Sequence, residues 1–79
     1  MRYIIYNIDK EAVDNYKDEY GCSKNDIPLR LAEFEGNKLF STNNKSELNN
    51  MFDFYFSRYA SNLTYVMIYD TKDECWLDL

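Results

Sequence analysis

Seventy-nine residues with a net charge of −5 and no histidine make one domain that lacks the side chain best suited to proton transfer near neutral pH. The acidic balance disfavours direct binding to DNA, RNA or an anionic membrane, all of which reward clustered Lys and Arg. A hydrophobic content of 46%, with eight Tyr, five Phe and one Trp, excludes a disordered chain, which would be poor in aromatics.

Residues 2–8, from Arg2 to Ile8, are β-branched and aromatic at alternating positions on both sides. This predicts a strand covered on both faces, hence central in its sheet. Asp9 is placed to cap a helix that runs to Tyr20, with Gly21 as its stop. At about 100° per residue, Ala12, Val13, Tyr16 and Tyr20 gather on one side of that helix and Glu11, Asp14 and Asp18 on the other.

Residues 22–28 read as a loop. Leu29 to Glu35 and Lys38 to Thr42 flank the pair Gly36-Asn37, a two-residue hairpin signal. The expected hairpin sets Glu35 against Lys38 and Phe34 against Leu39. A short helix over residues 29–35 is the competing reading, because that stretch is rich in helix formers.

Asn44, with Glu47 three residues later, begins the clearest helix of the chain, which runs to Tyr59 or Ala60. Leu48, Met51, Phe52, Tyr55, Phe56 and Tyr59 form its apolar face, and Phe54 falls outside it. Leu63 to Tyr69 is a second well-covered strand. Residues 70–74 turn the chain, and Cys75 to Leu79 add a short edge strand.

The predicted order is that of a ferredoxin-like βαββαβ fold with an extra C-terminal strand. The expected α+β architecture places two helices on one face of a mainly antiparallel sheet of four or five strands. If one sheet face is open, half of Tyr3, Tyr6, Tyr65 and Tyr69 line it. Residues 1–79 are expected to form a single compact domain.

Cys22 and Cys75 are the only cysteines. With no CxxC spacing and no histidine they cannot complete a zinc site. The N-terminal segment is too short and too polar for a signal peptide, and no apolar run approaches a membrane span. The expectation is a soluble cytoplasmic protein with reduced thiols, without cofactor or metal. Asp70, Asp73 and Glu74 lack the alternating ligands and central glycine of a calcium loop, so a solvated turn is the expected reading there. The two glycines, Gly21 and Gly36, do not make a phosphate-cradling loop. No catalytic constellation is present in the sequence, and the chain is not expected to be an enzyme.

Three groups of residues are candidates for partner binding. The first is the acidic stripe Glu11, Asp14 and Asp18, flanked by Glu19, against which stands the plain reading of a solvated helix face. The second is the C-terminal cluster of Asp70, Asp73, Glu74 and Asp78 beside Trp76, in which the indole either anchors a basic partner or packs on the sheet edge. The third is Phe54, an aromatic off the core stripe.

These features predict a small acidic inhibitor that binds a basic protein surface, including one on a nucleic-acid-binding effector. Lys outnumbers Arg six to three, and Asn, Tyr and Ile are frequent. Such AT-coded composition fits a phage or mobile element, hence a host-defence antagonist of the anti-CRISPR or anti-restriction kind. The alternative is a structural or regulatory homodimer that pairs through a tyrosine-rich sheet face or an edge strand.

Overall fold

A computed structural model of the protein describes residues 1–77. The strand β1 (Tyr3–Asp9) leads directly into α1 (Lys10–Tyr20). A single 3-10 turn, Lys24–Asp26, precedes α2 (Leu29–Glu35), and β2 (Gly36–Thr42) follows α2 without a loop. Then come α3 (Lys45–Tyr59), β3 (Thr64–Asp70) and β4 (Cys75–Leu77). The fold is α+β, with three helices and a four-stranded sheet of order β2-β1-β3-β4. Every neighbouring pair in the sheet is antiparallel.

The helix ends form as the sequence predicts. The Asp9 carboxylate accepts the Ala12 N–H at 3.1 Å, and the Asn44 side chain accepts the Glu47 N–H at 3.1 Å. Each satisfies a backbone donor that the first turn leaves open. Gly21 closes α1 in the left-handed conformation at φ 60°, where a side chain would be strained.

The central strands explain the layers. Successive strand residues face opposite sides, and both β1 and β3 are apolar on both sides. Tyr6, Ile8 and Met67 join Val13, Ile27, Ala32 and Trp76 in one core cluster. Tyr3, Ile5, Val66 and Ile68 join Leu48 in the other. The first cluster lies under α1 and α2, and the second lies under α3. The helices therefore cover both faces of the sheet, which corrects the expectation of two helices on one face. The tyrosines of an open face are likewise corrected: Tyr3 and Tyr6 are buried, and Tyr65 and Tyr69 are half-buried against the first cluster.

The second correction concerns residues 29–35, which form α2 and not a hairpin strand. Leu29 and Ala32 lie one turn apart and both reach the first core cluster. Burial of that face lets the helix propensity of the segment prevail. The βαββαβ order is thereby lost, and the chain runs βααβαββ.

Gly36 is not a hairpin residue. It sits where α2 passes into β2, opposite Ile8, in an extended conformation open to any residue. What it supplies is space. A Cβ there would lie 2.5 Å from the Asn7 carbonyl oxygen, 2.9 Å from the Ala32 carbonyl oxygen and 3.0 Å from the Ile8 Cα. Two positions along, the β2 pairing slips by one residue between Ile5 and Tyr6. The bulge directs Leu39 and Phe40 alike toward the α3 core.

All three neighbours of that absent Cβ are backbone atoms, so no side-chain rotation relieves the overlap. Gly36→Ala is expected to lower stability by about 1–3 kcal/mol, read as a lower urea midpoint with an unchanged slope.

Candidate protein-binding surface

The residues singled out in the sequence do not converge on one site. The acidic stripe forms as expected along α1. Glu11 and Asp18 are exposed, as is the flanking Glu19. Asp14 is half-buried and accepts a hydrogen bond of 2.9 Å from the Tyr65 hydroxyl. This bond is the main cause that holds the Tyr65 phenol above its ordinary pKa, with desolvation adding to it.

Beside the N-terminal half of the stripe lies a depression of about 390 Å3, lined by Asp9, Glu11, Asp14, Lys10 and Leu63 among others. Its lining is net acidic. The Asp9 carboxylate is engaged as the α1 cap. The Lys10 ammonium sits 5.7 Å above the Tyr65 ring, a cation–π distance. Leu63 is 75% exposed, and its carbonyl accepts the Lys10 N–H at 2.9 Å. Tyr20, on the side of α1 opposite the stripe, is also exposed and rests on Tyr16, with ring centroids 4.6 Å apart. The stripe thus has one exposed apolar neighbour, Leu63, at its N-terminal end. Among the described residues both ion pairs belong to Arg2, so no base neutralises Glu11, Asp18 or Glu19.

The C-terminal cluster is dispersed. Asp70 is buried, and Arg2 binds it through Nε at 3.1 Å and Nη2 at 3.0 Å. The N–H groups of Lys72 and Asp73 also donate to the Asp70 carboxylate, at 3.0 and 3.4 Å. Asp70 therefore holds the turn after β3 to the start of β1, and it is not free to meet a partner. Asp73 is exposed, 3.5 Å from the Arg2 guanidinium. Glu74 is exposed at φ 52°, a left-handed position that a turn imposes on it. Asp78 lies outside the described residues. Among the described residues no group of three His, Cys, Asp or Glu side chains is arranged to hold a metal ion.

Trp76 corrects the anchor reading. It is only 3% exposed, and its indole N–H donates to the Ile27 carbonyl at 2.8 Å. Tyr6 and Tyr69 meet its ring edge-on, at 6.0 and 4.9 Å. It is the piece of core that closes β4 over the 3-10 turn. Cys22 and Cys75 are free thiols, both half-buried.

Phe54 is exposed, edge-on to Tyr55 at 5.1 Å. It is not alone, since Phe56 and Tyr59 on the same helix and Phe34 on α2 are also exposed. Helical periodicity places Phe56 and Tyr59 on the core face of α3, yet both are exposed. Alternation places Leu63 at the start of the strand, but β3 begins at Thr64. Its exposure follows from its place one residue before β3 begins, which alternation alone does not reveal.

No protein-family model, curated protein or solved structure matches the chain. No helix of the described residues is long and apolar enough to cross a membrane.

Truncation of the buried indole, Trp76→Ala, is expected to cost about 3–5 kcal/mol in chemical denaturation. Trp76→Phe, which keeps the ring packing but orphans the Ile27 carbonyl, should cost about 1–3 kcal/mol.

Stability should also depend on the Asp70 carboxyl. The hydrogen bonds from Arg2 are the largest influence on it; together with those from Lys72 and Asp73 they outweigh burial and hold its pKa below the ordinary range. A carboxyl depressed in the folded state stabilises fully above its unfolded value of about 3.9. That contribution is lost as pH falls through the lower folded value. Asp70→Asn should therefore melt lower than the wild type at neutral pH. The gap should narrow between about pH 5 and about pH 2, and parallel melting curves across that window would refute the assignment.

Proposed function

We propose that this chain is a small non-catalytic inhibitor that occupies a basic surface of another protein through the outer edge of α1. The observation that supports this most directly is the set of unneutralised carboxylates, Glu11, Asp18 and Glu19, with exposed Leu63 beside Glu11. A basic side chain that enters the depression beside Glu11 lays its methylene stem on Leu63 and its charge against the carboxylates. Desolvation by Leu63 strengthens that attraction beyond what an isolated surface pair yields. The remaining acidic charge attracts a basic partner from a distance and speeds encounter.

The proposed partner is a nucleic-acid-binding effector, whose basic channel is the surface such an inhibitor would fill. Small size, acidity and a composition rich in AT-coded residues support a role as a phage or mobile-element antagonist of host defence, of the anti-CRISPR or anti-restriction kind. Shape carries part of the binding, because a net charge of −5 is modest for a full mimic of nucleic acid.

The double variant Glu11→Lys, Asp18→Lys spares Asp14 and its bond to Tyr65, so it should fold as the wild type does. Binding of a short Arg-rich peptide, measured by calorimetry at low salt, should weaken at least about tenfold, or about 1.4 kcal/mol. Wild-type affinity should fall as salt rises. Unchanged affinity in the folded variant, or salt-independent binding by the wild type, would rule out the α1 edge.

A further inference from the structure

β2 forms one edge of the sheet, and β1 is its neighbour there. The direction of its backbone groups follows from the ladder on the other side of β1. The Lys10 N–H donates to the Leu63 carbonyl, and the Thr71 N–H to the Arg2 carbonyl. Bonded positions alternate along an antiparallel pair. Ile4, Tyr6 and Ile8 therefore turn their N–H and C=O toward β3, and Tyr3, Ile5 and Asn7 turn theirs toward β2. Thr42, Phe40 and Asn37 are the β2 residues opposite those three. Ser41 and Lys38 accordingly turn their N–H and C=O away from β1. Among the described residues neither has a hydrogen-bond partner on that side. Residues 78–79 do not reach it either. They follow β4, which lies about 14 Å away across the spacings of the intervening strands, whereas two residues span about 7 Å at most.

The two faces of this edge differ. Phe40 shares the α3 side with Tyr3 and Ile5, and Leu39, the residue added by the bulge, joins it there. A row of rings continues from Phe40 onto α3, with Phe40 to Tyr55 at 6.0 Å and Tyr55 to Phe54 at 5.1 Å. Phe54 is 51% exposed, and Leu39, Phe40 and Tyr55 are half-buried. On the other face Lys38 and Ser41 lie opposite Tyr6 and Ile4. Lys38 is exposed and makes no ion pair among the described residues. The edge therefore has an apolar side toward α3 and an unpaired positive charge on the opposite side.

The geometry points to a strand-addition site: the open edge of β2 takes an extended segment of a partner protein, with apolar side chains toward α3 and a carboxylate beside Lys38. The main-chain bonds come from Ser41 and Lys38. Side chains of an added strand alternate between the two faces. Every second residue packs on Phe40 and the rings beyond it, and those between meet Lys38 across the strands. A bulge and an edge lysine deter indiscriminate pairing of sheet edges, and here they select the occupant. A second copy of this chain would set one bulge against another and bring together two chains of net charge −5. A short segment that carries a carboxylate opposite Lys38 meets neither obstacle.

The test is a nitrogen-labelled NMR titration of the full chain with a short capped peptide that alternates Glu and Val, against one that alternates Lys and Val, both read at the Ser41 amide. The Glu/Val peptide should shift that amide and slow its hydrogen exchange by about tenfold or more. The Lys/Val peptide should bind there at least about tenfold more weakly. Lys38→Glu, at an exposed position, should reverse the preference. Phe54→Ala truncates an exposed ring, so it should fold as the wild type does and weaken the Glu/Val peptide at least about threefold. Equal binding of the two peptides at Ser41, an unperturbed Ser41 amide, a preference that Lys38→Glu leaves unchanged, or an affinity that Phe54→Ala leaves unchanged would overturn the proposal. So would a Ser41 shift that follows protein concentration without peptide, since that makes a second copy the occupant.

Discussion

A strand that is apolar on both faces cannot be satisfied by a single layer of helices. Ile5 and Ile8 of β1 are both wholly buried, yet they point to opposite sides of the sheet. Ile68 and Met67 repeat the situation on β3. Each pair requires cover above and below. With only 79 residues, that cover comes from three helices, and none can be spared. The rest of the architecture follows from this demand. α3 takes one face alone and leaves part of its aromatic surface in solvent. On the other face α1 and α2 share the work, and α2 approaches β1 so closely that only glycine fits at their junction.

Much of this was legible in the chain. The two covered strands, the caps at Asp9 and Asn44 and the stop at Gly21 are local features, written in residues a few positions apart. The covered strands demanded helices on both faces, but the ferredoxin-like order set them on one, so the sidedness of the helices was misread. Residues 29–35 were not legible. The pair Gly36-Asn37 imitates a hairpin turn, and the reason for the glycine is a backbone nearly thirty positions earlier in sequence. Trp76 posed the same problem, since its burial depends on the Ile27 carbonyl that receives its N–H. Of the candidate surface, the acidic stripe could be read from helical spacing alone. Its apolar neighbour Leu63 could not, because a tertiary contact with the start of α1 brings it there.

The surface divides by charge. Carboxylates dominate the outer edge of α1, whereas Lys17 and Lys24 are the charged residues among the described lining of a groove between α1 and α3. A net charge averages over both and hides the contrast. The aromatic groups divide as well. Tyr6, Tyr69 and Trp76 form one interlocked set inside, and Phe34, Phe54 and Phe56 stand outside without equivalent cover. In a protein this small, such exposed rings are a cost to solubility that the acidic surface helps to offset.

The clasp between Arg2 and Asp70 joins the beginning of β1 to the end of β3, and the register Tyr3 to Asp70 does the same along the backbone. The two strands at the centre of the sheet are thus among the most widely separated in synthesis. While the chain is being made, β1 has its apolar faces exposed and its central partner not yet available. Closing so long a loop is slow relative to local helix formation. Until β3 is made the apolar faces of β1 lack that partner, and the charges of α1, made immediately after β1, are the nearest protection it has.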